Sequence, residues 1–255
     1  MRIITRRDTG LLTQWTFGSV GLDADAAAFI TATGITDPII VSAINTLVIS
    51  MRGNGTWAKM IAVYPFVGGT ATTHKFNLRN PADTNAAFRL NFVGGWTHSS
   101  TGALPNGTNA YADTFLNTGS PYDIGNSSNL GASTNPSSLI TRYNDGRAYV
   151  VIADQSFSNF VSTTDSRGFT SGGTNGSSTQ KLFKNGSIVA TGTQGAGSLA
   201  NFSLYIGANN SAGTAALFSN KQTAFISIGI GLSDTEAATL YTDVQIFQTT
   251  LSRNV

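Results

Sequence analysis

Lys181-Leu-Phe-Lys-Asn-Gly-Ser-Ile-Val-Ala190 places two apolar runs on either side of Asn185-Gly186. Asn and Gly both accept positive φ, which a two-residue type I′ turn needs at both central positions, and the twist of that turn matches the strands it joins. The stretch therefore predicts a β-hairpin of Gln180–Lys184 against Ser187–Thr191. Upstream, Asp145-Gly146 predicts a second hairpin of the same kind, between Leu139–Asn144 and Arg147–Asp154. The polar run from Ser156 to Thr179 separates the two and reads as loop with at most one strand.

Downstream, Phe202, Leu204 and Ile206 alternate along Asn201–Gly207. Ile226, Ile228 and Ile230 alternate along Thr223–Gly231, with Phe225 on the opposite face. That period of two is the mark of strands with one face in a core. Ser233-Asp-Thr-Glu236 then forms a capping box, and Ala237, Leu240, Val244, Phe247 and Leu251 fall on one face of the helix it starts. Towards the N-terminus, short apolar runs at Met60–Val67, His74–Leu78, Phe88–Phe92 and Tyr111–Phe115 read as further strands. Before them the period is helical. Leu22–Thr33 ends at Gly34, and Asp37-Pro38 opens a second helix carrying Ile40, Ile44, Leu47, Val48 and Met51 as far as Gly53. Three segments result: an N-terminal arm over 1–19, a helical unit over 20–56 packed on a sheet, and a β-sandwich over 57–255.

The composition agrees with many short strands and turns. Charged residues are only 11% and hydrophobic ones 40% of the 255 residues, and Gly, with 28 copies, joins Ser, Thr and Asn in supplying the turns. A net charge of +2 with scattered basic residues, apart from Arg2, Arg6 and Arg7, excludes a strong nucleic-acid surface. With no cysteine, disulfides and thiolate metal sites are excluded. No run is long and apolar enough for a membrane span, and the start has no apolar core of a secretory signal. The expectation is synthesis in a cytoplasm without export. The arm, with Trp15 and Phe17, is expected to pack on its own domain or on a neighbour.

The Lys181–Ala190 hairpin resembles the Y-x-N-G hairpin of the laminin-G-like branch of the concanavalin A-like lectin/glucanase superfamily. In the same branch, Leu204-Tyr-Ile-Gly207 resembles the strand ending in Ile-Gly that follows, Leu232-Ser-Asp-Thr-Glu-Ala-Ala-Thr-Leu-Tyr241 the closing L-S-D-x-E-x-x-x-L-Y, and Asn106-Gly-Thr-Asn-Ala-Tyr-Ala-Asp-Thr114 the early strand. The resemblance implies a mainly β, antiparallel jelly-roll sandwich with a small N-terminal two-helix unit and a short C-terminal helix. A narrower resemblance rests on Ala28-Phe-Ile-Thr-Ala-Thr-Gly-Ile-Thr-Asp-Pro38, Tyr64-Pro-Phe-Val-Gly-Gly-Thr70 and Gly95-Trp-Thr-His98. These are similar to a family of uncharacterised bacteriophage proteins in which two helices precede a lectin-like sandwich. That family implies a virion component, exposed on a capsid vertex, spike, fibre or tail.

The residues offer little for catalysis. Retaining glycosidases in this superfamily use two carboxylates about 5 Å apart, yet Glu236 is the only glutamate and already caps a helix. Asp23 and Asp25 share a two-residue spacing but begin a helix. His74 and His98 lie in strand or turn contexts with no G-x-S-x-G elbow, and two histidines without cysteine do not make a zinc site. Gly68-Gly69-Thr70 and Gly172-Gly173-Thr174 lack the lysine of a phosphate loop. No cofactor is expected. A structural calcium would draw on Asp123, Asp145, Asp154 or Asp165, which do not form a dense D-x-D-x-D loop; turn-forming roles explain them as well.

Sugar binding remains. Gly94-Gly-Trp-Thr-His-Ser-Ser100 offers Trp96 and His98 between glycines, and Asn209-Asn210-Ser211 follows the Ile-Gly strand. An aromatic platform with amide partners suits a saccharide; equally, Trp96 fits a core and the asparagines fit turns. The resemblance to bacteriophage proteins, taken with these residues, implies a non-enzymatic virion protein acting as a homo-oligomer with other virion proteins, and binding host surface polysaccharide through Trp96, His98, Asn209 and Asn210. A non-virion carbohydrate-binding module and a divergent glycoside hydrolase are the alternatives.

Overall fold

Asn185 and Gly186 take φ of 49° and 75°, the type I′ signature, and Lys184 pairs with Ser187 across them. In this computed structural model, which describes residues 21–117, 122–126, 130–133, 137–142, 144–152, 160–174, 179–193 and 202–253, the hairpin closes the edge of a six-stranded antiparallel sheet. From the opposite edge that sheet runs Met60–Tyr64, Ile226–Ile230, Tyr122–Asn126, Thr170–Gly173, Thr179–Lys184 and Ser187–Thr193. A second sheet runs Phe160–Ser162, Arg147–Ile152, Ser137–Ile140, Leu130–Ser133, Ser203–Ile206, Tyr111–Asn117 and Asn91–Val93. Asn209–Ser211 joins it parallel to Leu130–Ser133, with Thr214–Ala216 beside it. Trp96–Ser99 and Gly102–Pro105 form a separate two-stranded ribbon.

The two inner faces meet in one core. Ile226, Ile228 and Leu182 from the first sheet pack with Leu204, Ile206, Leu139 and Val150 from the second. The outer face of the first sheet is covered by helices: α1 (Ala24–Thr33), α2 (Pro38–Gly53) and α4 (Asp234–Thr250), the single turn α3 (Ala71–His74) lying between the last two in sequence. Phe29, Ile44, Leu47, Met51, Leu240, Val244 and Phe247 pack there with Phe225 and Phe183 in a second cluster. Phe225 and Ile226 thus feed opposite faces of one strand, as alternation requires. The molecule is mainly β, a lectin-like antiparallel jelly-roll sandwich with helices on one face.

Helix ends obey local chemistry. Asp37 Oδ1 accepts from the Ile39 amide at 2.8 Å and Pro38 opens α2. Gly34 closes α1 in the left-handed conformation. Ser233 and Glu236 exchange their capping hydrogen bonds, at 3.3 and 2.8 Å, and Glu236 also pairs with Lys59 at 2.6 Å. The C-terminal helix that follows is 17 residues long.

Four local expectations need correction. His74–Leu78 is not a strand: Thr70 caps α3, and Asn77 Oδ1 accepts the Val63 amide, so a side chain stands where a ladder bond would be. Phe88 is not in a strand either. It takes φ 59° at the end of a short helical turn capped by Thr84, and the strand begins only at Asn91. Asp145-Gly146 is no type I′ turn, because Asp145 keeps negative φ. The strands stop at Ile140 and resume at Arg147, and Asp145 Oδ1 accepts the Arg147 amide in a wider loop. Ser156–Thr179 carries two strands rather than one at most. In Thr170–Gly173 small polar residues sit buried at a crowded point, where a Cβ on Gly172 would lie 2.6 Å from Val150. The predicted arm over 1–19 lies outside the described residues.

Candidate functional site

The structure brings Trp96 and His98 together on the two-stranded ribbon. Phe92 packs edge-on against both rings, at 5.2 and 4.7 Å between centroids, and the Trp96 and His98 rings stack at 6.2 Å. Behind them lies a partner the sequence does not announce: His74 Nδ1 is 2.9 Å from His98 Nδ1, so one ring donates and the other accepts. His74 is 1% exposed and its Nε2 is buried with no partner. Burial, then the His98 ring and the Arg253 guanidinium, push its pKa down to about 3, and burial lowers His98 as well. Among the described residues neither ring hydrogen-bonds a carboxylate or a hydroxyl, so no charge relay is assembled here.

Trp96 is partly committed to the fold. Its Nε1–H donates to the carbonyls of Val93 and Tyr111, at 3.1 and 3.2 Å, and its ring lies where a Cβ on Gly207 would come within 3.2 Å. Asn210 is 2% exposed; its Nδ2 donates to the Ser203 carbonyl and its Oδ1 accepts the Gly213 amide, holding a turn. Asn209 is half-buried, and its Oδ1 is buried without a partner. Of the aspartates considered for calcium, Asp145 binds the Tyr149 hydroxyl and lies 3.8 Å from Arg147, and Asp165 pairs with Arg167 at 2.8 Å. Asp154 and the Asp123 side chain lie outside the described residues, among which no cluster of three or more metal-binding side chains occurs.

A different place has the form of a binding site. The C-terminal half of α4, the loop 166–169 and the segment 221–225 enclose a cleft of about 500 Å³, with Thr101 at its rim. Phe169 and Phe225, 6.2 Å apart and both buried, form its floor. Gln222, Gln245 and Gln248 converge on it with Ser166, Ser252, Arg167, Lys221 and Arg253. Gln222 Nε2 donates to the carbonyl and hydroxyl of Thr101, at 2.7 and 2.8 Å, which ties one wall to the two-stranded ribbon. An apolar floor with convergent amides, hydroxyls and cations is the usual make-up of a small-molecule site.

Arg253 builds the back of this cleft. Ser252 takes φ 54°, its amide bonds to Thr249 O, and the Arg253 amide bonds back to Gln248 O, a Schellman closure that turns the chain inward. The guanidinium then donates to Gln248 Oε1, Phe66 O, Pro65 O, Ser100 O and Ala224 O at 2.9 to 3.5 Å. No carboxylate among the described residues pairs with it, and burial lowers its pKa to about 10. Sequence reading misses this cleft because its residues come from four distant segments. The one readable sign is that Gln245, Gln248 and Ser252 border the apolar face of α4 at helical spacing.

No protein-family model and no curated protein matches this chain. Among solved structures it is similar to a mutant Trypanosoma rangeli sialidase displaying trans-sialidase activity, at 11% identity over 81% of this chain and 39% of that one, with a TM-score of 0.52. It is also similar to domain 4 of an extracellular arabinanase from Geobacillus stearothermophilus, in complex with arabinotriose (16% identity, 72% and 98% covered, TM-score 0.44). A third is the botulinum neurotoxin serotype D binding domain (10% identity, 73% and 52% covered, TM-score 0.47). The chain spans about two fifths of the sialidase's length and about half of the neurotoxin domain's. Identities this low speak to fold alone, and the class is defined by the two-sheet topology and its shared core, a lectin-like β-sandwich.

Proposed function

We propose that this chain is a non-catalytic bacteriophage virion protein, exposed on the particle as a homo-oligomer, that attaches to host surface glycans through the cleft between α4 and the loops 166–169 and 221–225. The observation that carries the glycan part is the lining of that cleft. Glutamine amides and hydroxyls match the donor and acceptor pattern of sugar hydroxyls, and Phe169 and Phe225 supply an apolar floor. Among the described residues no aspartate or glutamate lines it, and glycoside hydrolysis needs a pair of carboxylates at the bond to be cut; this favours binding over turnover. The virion part rests on the resemblance of residues 28–38, 64–70 and 95–98 to bacteriophage proteins, and the oligomeric part on the basic, aromatic arm.

Two measurements test the reading. Mass spectrometry of purified particles should contain this polypeptide at stoichiometric abundance; its absence removes the virion role. A multivalent display of the protein on an array of bacterial surface polysaccharides should bind at least one. Binding to none removes the attachment role, and release of reducing sugar from any of them establishes hydrolysis instead.

A further inference from the structure

Fifteen basic residues are spread over 255 positions, yet three of them, Arg167, Lys221 and Arg253, line this cleft, and among the described residues no acidic side chain does. The adjoining carboxylate, Asp165, is held by Arg167 through Nε and Nη2 at 2.8 to 3.1 Å. Lys184 stands behind the same loop, its Nζ donating to the Arg167 carbonyl. Lys221 has no ion pair among the described residues. Arg253 is 8% exposed, and all its donors are taken by uncharged oxygens. The C-terminal end of α4 adds only about half a negative charge, screened by Arg253 itself. Asp165 offsets Arg167, so among the described residues Lys221 and Arg253 leave the cleft with a net positive field, in a wall of reduced dielectric where such a field persists.

We infer that the ligand of this cleft is an acidic saccharide, one whose carboxylate, sulfate or phosphate group is met by Lys221 and Arg167, with Arg253 acting through its field from behind the wall. The inference rests on the glycan-binding reading above and narrows it to a charge class. Arg253 is a positioning residue: its donors are engaged, so contact falls to Lys221 and to the guanidinium nitrogen that Arg167 leaves free of Asp165. Burying an arginine without a carboxylate is costly unless its charge is used, and an arriving anion supplies the missing counter-charge.

The test uses the whole protein on an array of acidic bacterial polysaccharides, carboxylated, sulfated and phosphorylated, each carboxylated member printed beside its carboxyl-reduced form and each sulfated or phosphorylated member beside its de-esterified form. The expected result is binding to at least one acidic member that falls at least tenfold when the charge is removed. It should fall by a similar factor in Lys221→Gln and Arg167→Gln, and not in Arg89→Gln, which makes the same change in net charge but lines no part of the cleft. Binding should weaken as salt is raised from about 50 to 500 mM, because exposed charges are screened over that range. Equal binding to charged and neutralised forms, or binding unmoved by both cleft variants, overturns the acidic ligand and leaves glycan attachment standing. Binding to no member overturns both.

Discussion

Arg253 gathers acceptors from Pro65, Phe66, Ser100, Ala224 and Gln248, and its guanidinium also lies 5.4 Å over the Phe247 ring. It is therefore the point where α4, the loop after Met60–Tyr64 and the two-stranded ribbon are tied together. Arg253→Ala strips a partner from buried carbonyls and should destabilise the chain by about 3 kcal/mol. Arg253→Lys keeps the charge but loses the fork, and should fall between the two in urea unfolding; an alanine variant within 0.5 kcal/mol of the parent would contradict this. His74 makes a separate prediction. Folded His74 stays neutral down to about pH 3, whereas the unfolded chain takes up its proton near 6.5. Stability is thus complete above pH 6.5 and is lost as pH falls towards 3, by up to about 1.4 kcal/mol per unit for this group. His98 shifts the same way and leaves a residual slope. Between pH 6.5 and 5, above the ordinary carboxylate range, His74→Gln should flatten the loss by close to one proton. An unchanged slope would show that His74 does not titrate on unfolding.

Elements were legible where a local rule and the core demanded the same thing. The Asn185-Gly186 turn, the Asp37-Pro38 and Ser233/Glu236 helix starts and the alternation of Ile226 and Ile228 are all of this kind, each needing only a few residues of context. Where an outside partner decided, sequence reading failed. Asn77 replaces a ladder bond with its side chain, Thr170–Gly173 is a strand because small residues fit beside Val150, and Asp145 prefers to hold the Arg147 amide. The candidate site follows the same division. Trp96 and His98 lie two residues apart, so their closeness is local, but the cleft is not legible, because Thr101, Arg167, Lys221 and Gln248 meet only through the sandwich. At this scale the hairpin makes a measurable prediction. Gly186 has φ 75°, and a Cβ there would lie 3.0 Å from Tyr241 Cδ1 and 3.3 Å from Ala238 Cα on α4; Gly34 has φ 67° with nothing within 4 Å. Gly34→Ala should cost about 1 kcal/mol from backbone strain alone, and Gly186→Ala more, about 2 kcal/mol, because the hairpin must also move off α4. Equal losses in thermal unfolding would show that the hairpin–helix contact has room to relax.

At the scale of the molecule, helices on the outer face of one sheet leave the sandwich core closed and place α4 so that its C-terminal end meets the loops at 166–169 and 221–225. No helix among the described residues is long and apolar enough to cross a membrane. What the fold offers a partner is surface: the cleft beside α4 brings amides, hydroxyls and cations together over Phe169 and Phe225, while Phe92, Trp96, His98 and His74 pack on one another. The measurement that bears most directly on this account is an amide NMR titration of the protein with an acidic oligosaccharide prepared from a polysaccharide it binds. The account predicts saturable shifts at Ser166, Arg167, Lys221, Gln222, Gln245 and Gln248, with Trp96, His98, Asn209 and Asn210 unmoved. Shifts confined to those last four residues, or none that saturate, would contradict it.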